Sequence, residues 1–143
     1  MKLALLDRDG VLNEDRVDYV KHPGELQLIA RAAKACARLN KSGIKVAVVS
    51  NQGGVGRGVF TREMLERINE KLRDELLREG GRVDLLLTCI EPPWSQHERR
   101  KPRPGMLREA LAHFRMAPHD AVLVGDQLRD LQAGKALGIK RIL

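Results

Sequence analysis

Leu3-Ala4-Leu5-Leu6-Asp7-Arg8-Asp9-Gly10 is the stretch that decides the fold. An unbroken apolar run, with no alternation, is the pattern of a strand buried on both faces of a parallel sheet. Asp7 and Asp9 then stand at the C-terminal end of that strand, the edge at which open α/β sheets bind their ligands. Two acids with one residue between them can divide the labour, one attacking and the other handling protons. A second acidic stretch, Gly125-Asp126-Gln127-Leu128-Arg129-Asp130, follows another apolar run, Ala121-Val122-Leu123-Val124. Aspartates at two strand ends point to one shared Mg²⁺ site.

Outward from these two points the chain alternates strand-like and helix-like segments. Strands are expected at residues 2–6, 45–49, 83–88, 121–124 and 140–143. Helices are expected at 29–41, 63–77, 104–115 and 128–137. Thr61 is placed to cap the second helix, whose Leu65, Ile68, Leu72 and Leu76 keep helical spacing. Pro104 suits a first helical turn, and Gly138 ends the last helix. Such alternation implies an α/β fold with a mainly parallel, doubly wound sheet. Three irregular stretches, 11–24, 52–60 and 90–103, all follow strand ends and should line one face. No repeat, linker or low-complexity segment interrupts the chain, so residues 1–143 read as a single domain.

Composition narrows the function classes. The 143 residues suffice for one core without staples, and 43% hydrophobic content is ordinary for a globular protein. No apolar run is long enough to span a membrane and no signal peptide is visible, which excludes a membrane partner and favours the cytoplasm. Two cysteines, Cys36 and Cys89, are too few for a disulfide framework. The net charge of +7 suits either nucleic acid or a small phosphorylated substrate. Aromatic residues make up only 3%, a poor match to base-stacking platforms, so nucleic acid is the weaker reading.

Four ordered motifs resemble the haloacid dehalogenase (HAD) superfamily of phosphohydrolases: Asp7-Arg8-Asp9-Gly10, Ser50-Asn51-Gln52, Lys101-Pro102, and Gly125-Asp126 with Asp130. Within it the chain is similar to the D-glycero-D-manno-heptose 1,7-bisphosphate phosphatases. The added matches are Tyr19-Val20, Arg57-Gly58-Val59-Phe60 and Arg100-Lys101-Pro102-Arg103-Pro104-Gly105-Met106. Histidinol-phosphate phosphatases are the next nearest in pattern. The resemblance implies a HAD-like Rossmannoid three-layer sandwich, a five-stranded sheet in the order 3-2-1-4-5, and no cap domain. The short interval between Gly10 and Glu25 leaves no space for a cap, so loops must select the substrate.

The resemblance also implies roles. Asp7 is the expected nucleophile, forming an aspartyl-phosphate, and Asp9 the general acid and then base. Ser50 donates its hydroxyl to the phosphoryl group, and Lys101 neutralises its charge. Mg²⁺ is held by Asp7, the backbone carbonyl of Asp9, and Asp126, with Asp130 as outer support. Asp15, Arg16, Tyr19, Asn51, Gln52, Gly53, Arg57 and Arg100 are expected to hold the substrate. The chemistry stands apart from the family: a phosphate monoester repels an anionic nucleophile unless cations neutralise it.

Blander readings stay open. Asp130 caps a helix or supports the metal; Ser50-Asn51 is turn chemistry or a phosphate contact. The glycines around Arg57 cradle a second phosphate through backbone N–H groups or form a flexible turn. His22, His113 and His119 have no partner that the sequence names.

Departures from the family pattern are equally legible. The resembling phosphatases carry a structural zinc loop of three Cys and one His after the third strand. Here Cys89 and His97 supply two ligands, and the cysteine expected just before Arg100 is absent, so zinc is not expected. Gln127 stands where some members have Lys, and Ser50 where Thr is commoner. The resembling enzymes also continue beyond the strand in which this sequence stops, which reads as a trimmed form or a strand covered from elsewhere; oligomers stay open. Three functions remain: a sugar-bisphosphate phosphatase, a phosphatase for histidinol phosphate or another small ester, and a non-catalytic HAD-like binding module.

Overall fold

The computed structural model describes residues 1–143. Five parallel strands, β1 (Leu3–Leu6), β2 (Lys45–Asn51), β3 (Leu85–Cys89), β4 (Ala121–Val124) and β5 (Lys140–Ile142), form one sheet in the order β3-β2-β1-β4-β5. All four pairings are parallel, with Leu6 level with both Val48 and Val124. The helices are α1 (Ala32–Lys41), α2 (Gly53–Gly56), α3 (Arg62–Leu77), α4 (Gly105–Phe114) and α5 (Leu128–Leu137).

The unbroken apolar run of β1 follows from its central position. Ala4 and Leu6 point into one core layer, with Cys36 of α1 and Leu65, Ile68, Leu72 and Leu76 of α3. Leu3 and Leu5 point into the other, with Met106, Leu107, Ala110 and Leu111 of α4 and Ala133 of α5. A strand covered on both faces has no solvent side on which polar residues would alternate. The result is the three-layer sandwich without a cap: the segment between β1 and α1 contains only the single 3-10 turn Pro23–Glu25, pinned to the core by Leu12, Val20 and Leu26.

Differences from the expected elements sit at their ends. The first helix begins at Ala32, after Arg31 in a left-handed conformation, not at residue 29. The stretch 52–60, expected to be irregular, holds the one-turn helix α2. Its glycines are packing residues: a Cβ on Gly54 would lie 2.4 Å from the Phe60 ring, and one on Gly56 2.5 Å from the Ile90 carbonyl. The N–H groups of Val55, Arg57, Gly58 and Val59 all bond backbone carbonyls of the same loop. That leaves them unable to cradle a phosphate. Thr61 caps α3 by accepting from the Met64 N–H, and Gly138 ends α5 in the left-handed region, as their positions predicted.

The chain winds outward from β1 in both directions, through β2 and β3 on one side and β4 and β5 on the other. The carboxyl end of β1 is therefore the switch point, where adjacent loops diverge and open a crevice.

Candidate active site

At that crevice a cavity of about 220 Å³ is lined by Asp7, Asp9, Asp15, Arg16, Val17, Tyr19, Asn51, Lys101, Asp126, Gln127 and Arg129. Asp7 continues β1, its N–H bonding the Val124 carbonyl at 3.0 Å. One carboxylate oxygen is fixed by the Arg8 N–H at 2.9 Å and by Lys101 Nζ at 3.1 Å. Burial pushes the Asp7 carboxyl up to about 6, against the downward pull of Lys101. A nearby cation thus keeps a buried acid ionised at neutral pH.

Lys101 is itself buried, and its ammonium is shared among Asp7, Asp130 Oδ1 at 2.7 Å and the Val49 carbonyl at 2.7 Å. Its backbone is gripped at both polar groups by Asn51, through Nδ2 to the Lys101 carbonyl at 3.0 Å and from the Lys101 N–H to Oδ1 at 3.1 Å. Asp130 takes the helix-capping role that its sequence left open, and it also pairs with Lys101. Its Oδ2 accepts from the Gln127 N–H at the start of α5, and its Oδ1 pairs with Lys101.

Asp9 is held differently. Its Oδ1 accepts from Nε (3.2 Å) and Nη2 (2.9 Å) of Arg8 and from Asn13 Nδ2 (2.8 Å). Its Oδ2 accepts from Gln52 Nε2 at 2.8 Å. Burial raises the Asp9 carboxyl, but the Arg8 charge and the bonds from Asn13, Gln52 and Arg8 outweigh it and hold it below the usual range. Arg8 is fully buried and reaches on to Asn69 of α3 at 3.0 Å.

The oxygens that converge in the cavity suit a hard divalent cation. Carboxylate oxygens of Asp7, Asp126 and Asp130 lie within 4.8 Å of one another. Asp126 Oδ1 is buried without a hydrogen-bond donor, the condition of an oxygen that a cation satisfies. Asp130 is committed to Lys101 and the α5 terminus, and the Asp9 carboxylate to its four donors. Asp7 and Asp126 are left as the carboxylates that could hold Mg²⁺, few enough protein ligands to leave room for water. Gly10 makes this possible. Its φ of +84° is left-handed, and a Cβ there would stand 2.0 Å from Asp126 Oδ2.

Other expected residues are placed less directly. Ser50 is buried and accepts from Gln52 Nε2 at 2.7 Å, keeping its own proton to donate. Gln52 and Gly53 are buried; Gln52 Nε2 donates to Asp9 and Ser50, while its Oε1 has no donor. Arg57 does not line the cavity; it bonds the Tyr19 hydroxyl at 3.1 Å and lies over the Tyr19 ring. Arg100 lines a neighbouring basin of about 500 Å³ with Arg103 and Arg129. Arg8, Asn13, Asn69 and Arg129 carried no assigned role in the sequence reading. Of these Arg8 and Arg129 had a signal, their positions inside the two acidic stretches. Cys89 is a core side chain against the α4 layer.

Known proteins share this fold. D-glycero-β-D-manno-heptose-1,7-bisphosphate 7-phosphatase of Pseudomonas aeruginosa is 38% identical over 141 residues, 99% of this chain and 79% of that protein. The chain belongs to this phosphatase family. The Neisseria meningitidis member is 39% identical over 143 residues, the whole of this chain and 76% of its own length. A family model described as "HAD-hyrolase-like" matches residues 98–143. The D,D-heptose 1,7-bisphosphate phosphatase of B. bronchiseptica, solved with magnesium and phosphate, superposes with a TM-score of 0.94 at 38% identity, covering 99% of this chain and 79% of that one. As a member of the heptose bisphosphate phosphatase family, the chain is a HAD-type phosphoric monoester hydrolase. No helix is long and apolar enough to cross a membrane.

Proposed function

We propose that this protein hydrolyses D-glycero-D-manno-heptose 1,7-bisphosphate at the 7-position, in the supply of heptose precursors for surface glycans, and that it does so through an aspartyl-phosphate on Asp7. The observation that carries the reading is the single buried ammonium of Lys101, set 3.1 Å from the Asp7 carboxylate at the mouth of an oxygen-rich crevice. A carboxylate can approach a phosphate dianion only beside such charge. Bound Mg²⁺ would add further neutralisation of the phosphoryl oxygens.

In the first half-reaction Asp7 attacks phosphorus and the sugar oxygen leaves, taking a proton from Asp9. The depressed Asp9 carboxyl is ionised at rest, so its proton is drawn in as the substrate's negative charge raises it. In the second half-reaction Asp9, again a carboxylate, removes a proton from the water that cleaves the aspartyl-phosphate. Ser50 donates its hydroxyl to a phosphoryl oxygen, and Asn51 and Asp130 hold Lys101 in register. Asp15, Arg16 and Tyr19 contact the sugar at the rim. A bisphosphate is favoured over histidinol phosphate by the basin beside the cavity, where Arg100, Arg103 and Arg129 stand together. The two buried free thiols, Cys36 and Cys89, suit a reducing cytoplasm.

The test is Mg²⁺-dependent phosphate release from the heptose bisphosphate and from histidinol phosphate, beside Asp7→Asn. Faster release from the heptose and a dead variant support the reading. Release from neither ester would refute it and leave a binding module.

A further inference from the structure

The segment that delivers Arg100 and Lys101 to the site is long, exposed or half-buried apart from Lys101, and free of helix and strand from Ile90 to Pro104. Something must hold it, because Lys101 is useful only within a few tenths of an ångström of its place. Asn51 grips the Lys101 backbone itself, and Arg99 fastens the loop just ahead of it. Its guanidinium forks in two directions: Nη1 donates to the Thr88 carbonyl at 2.8 Å, and Nε donates to Glu109 Oε2 at 2.5 Å, with Nη2 at 3.4 Å from Oε1. Thr88 belongs to β3, level with Ser50 of β2, and Glu109 belongs to α4. One side chain therefore ties the loop both to the sheet and to the helix that follows it, directly before the two residues that enter the site.

We propose that Arg99 is a positioning residue for catalysis, acting through the backbone it shares with Arg100 and Lys101. The geometry is specific to a guanidinium, since an ammonium cannot bond a carbonyl and a carboxylate in two fixed directions. A nearby pair on the same loop, Glu98 with Arg108, is more exposed at both ends and reaches only α4, so it makes no link to the sheet. It provides the control. The Arg99–Glu109 pair is itself partly exposed, so added salt weakens it while leaving the buried Lys101 contacts largely unscreened.

The proposal rests on the phosphatase reading, and the assay separates the two. Mg²⁺-dependent turnover of p-nitrophenyl phosphate and of the heptose bisphosphate is measured for wild type, Arg99→Ala, Arg99→Lys and Glu98→Gln, with thermal unfolding of each. Loss of Lys101 placement shows in kcat, while loss of Arg100 placement shows in KM. Arg99→Ala is expected to lower kcat at least tenfold on both esters while remaining folded at the assay temperature. Arg99→Lys should fall between it and wild type, and Glu98→Gln should stay within twofold. Wild-type kcat should also decline as sodium chloride rises, a decline that Arg99→Ala lacks. An active wild type with Arg99→Ala unchanged in kcat and KM overturns the proposal. So does a kcat loss of equal size in Glu98→Gln, because that would mean any loop pair suffices. If Arg99→Ala is not recovered folded, Arg99→Lys carries the test: a kcat within twofold of wild type overturns the proposal. A wild type inactive on both esters refutes the phosphatase reading instead.

Discussion

Replacing Lys101 by Met removes the one cation buried between two acids. Its Nζ lies 3.1 Å from Asp7 and 2.7 Å from Asp130, and all three side chains are at most 9% exposed. Breaking a buried pair by deleting one partner costs about 3–5 kcal/mol, because the other charge is left uncompensated. Near this chain length each kcal/mol is worth roughly 2–4 °C in Tm, so a fall of roughly 6–20 °C is expected for the metal-free protein. Asp7 must rise further without the Lys101 charge, leaving less carboxylate to attack. Loss of one preorganised charge contact at a reacting oxyanion costs about 10²–10³ in kcat, and that is the expected loss. Lys101→Met with Asp130→Asn removes one of the stranded charges. This double variant should regain about half the lost Tm and none of the activity. Calorimetry and phosphate release measure the two quantities separately. A single variant within 2 °C (about 1 kcal/mol or less) of wild type, or a double variant no more stable than the single one, would refute the reasoning.

Other outcomes follow from the same geometry. Gly10→Ala drives a Cβ into Asp126 Oδ2 and strains a positive φ, so Mg²⁺ binding by calorimetry should be lost together with activity, even where the fold survives. Because burial raises Asp7 to about 6, the carboxyl is protonated below that pH in the metal-free protein. Apparent Mg²⁺ affinity should then be flat above pH 6 and weaken about tenfold per unit below it. The acid limb of kcat/KM should correspondingly move to lower pH as Mg²⁺ is raised. Arg8→Met strips Asp9 of its charge partner and Asn69 of a donor; a loss of about 3–5 kcal/mol is expected by denaturant titration, with the Asp9 carboxyl moving upward. Gly54→Ala overpacks Phe60 and Tyr19 and should cost about 1–3 kcal/mol, with a raised KM through the displaced Tyr19.

Much of the candidate site was legible because its chemistry is local. Asp7 and Asp9 lie at the end of an apolar run, and Asp126 at the end of another, so parallel pairing of the two strands brings them together without further information. Asn51 and Gln52 were also visible as polar residues after a strand. Their use was not. Both were expected to hold substrate; no pattern showed that Asn51, which lines the cavity, also grips the Lys101 backbone, or that Gln52 joins Asp9 to Ser50. Each amide spans two segments distant in sequence, and no spacing encodes that. The glycines of 53–58 suggested an anion cradle or a flexible turn; Gly54 and Gly56 are small because Phe60, Tyr19 and the Ile90–Pro92 segment press against them, whereas Gly58 has open space and a positive φ.

By itself, then, the sequence determined the α/β class, the parallel sheet and the chemical type of the site, since apolar runs ending in acids dictate both burial and where charge must surface. It also showed that the loop before Arg100 lacks the cysteines a zinc site would need. Only the tertiary structure decided how the charges divide their work. Arg8 and Lys101 are both cations near Asp7 and Asp9 in space, yet Arg8 holds Asp9 low while Lys101 bridges Asp7 to Asp130. It also gave the loop its fastening, an arginine fork from Arg99 to Thr88 and Glu109. The reason is physical: a strand's burial follows from its own residues, but a buried charge is defined by its partners, and those arrive from elsewhere in the chain.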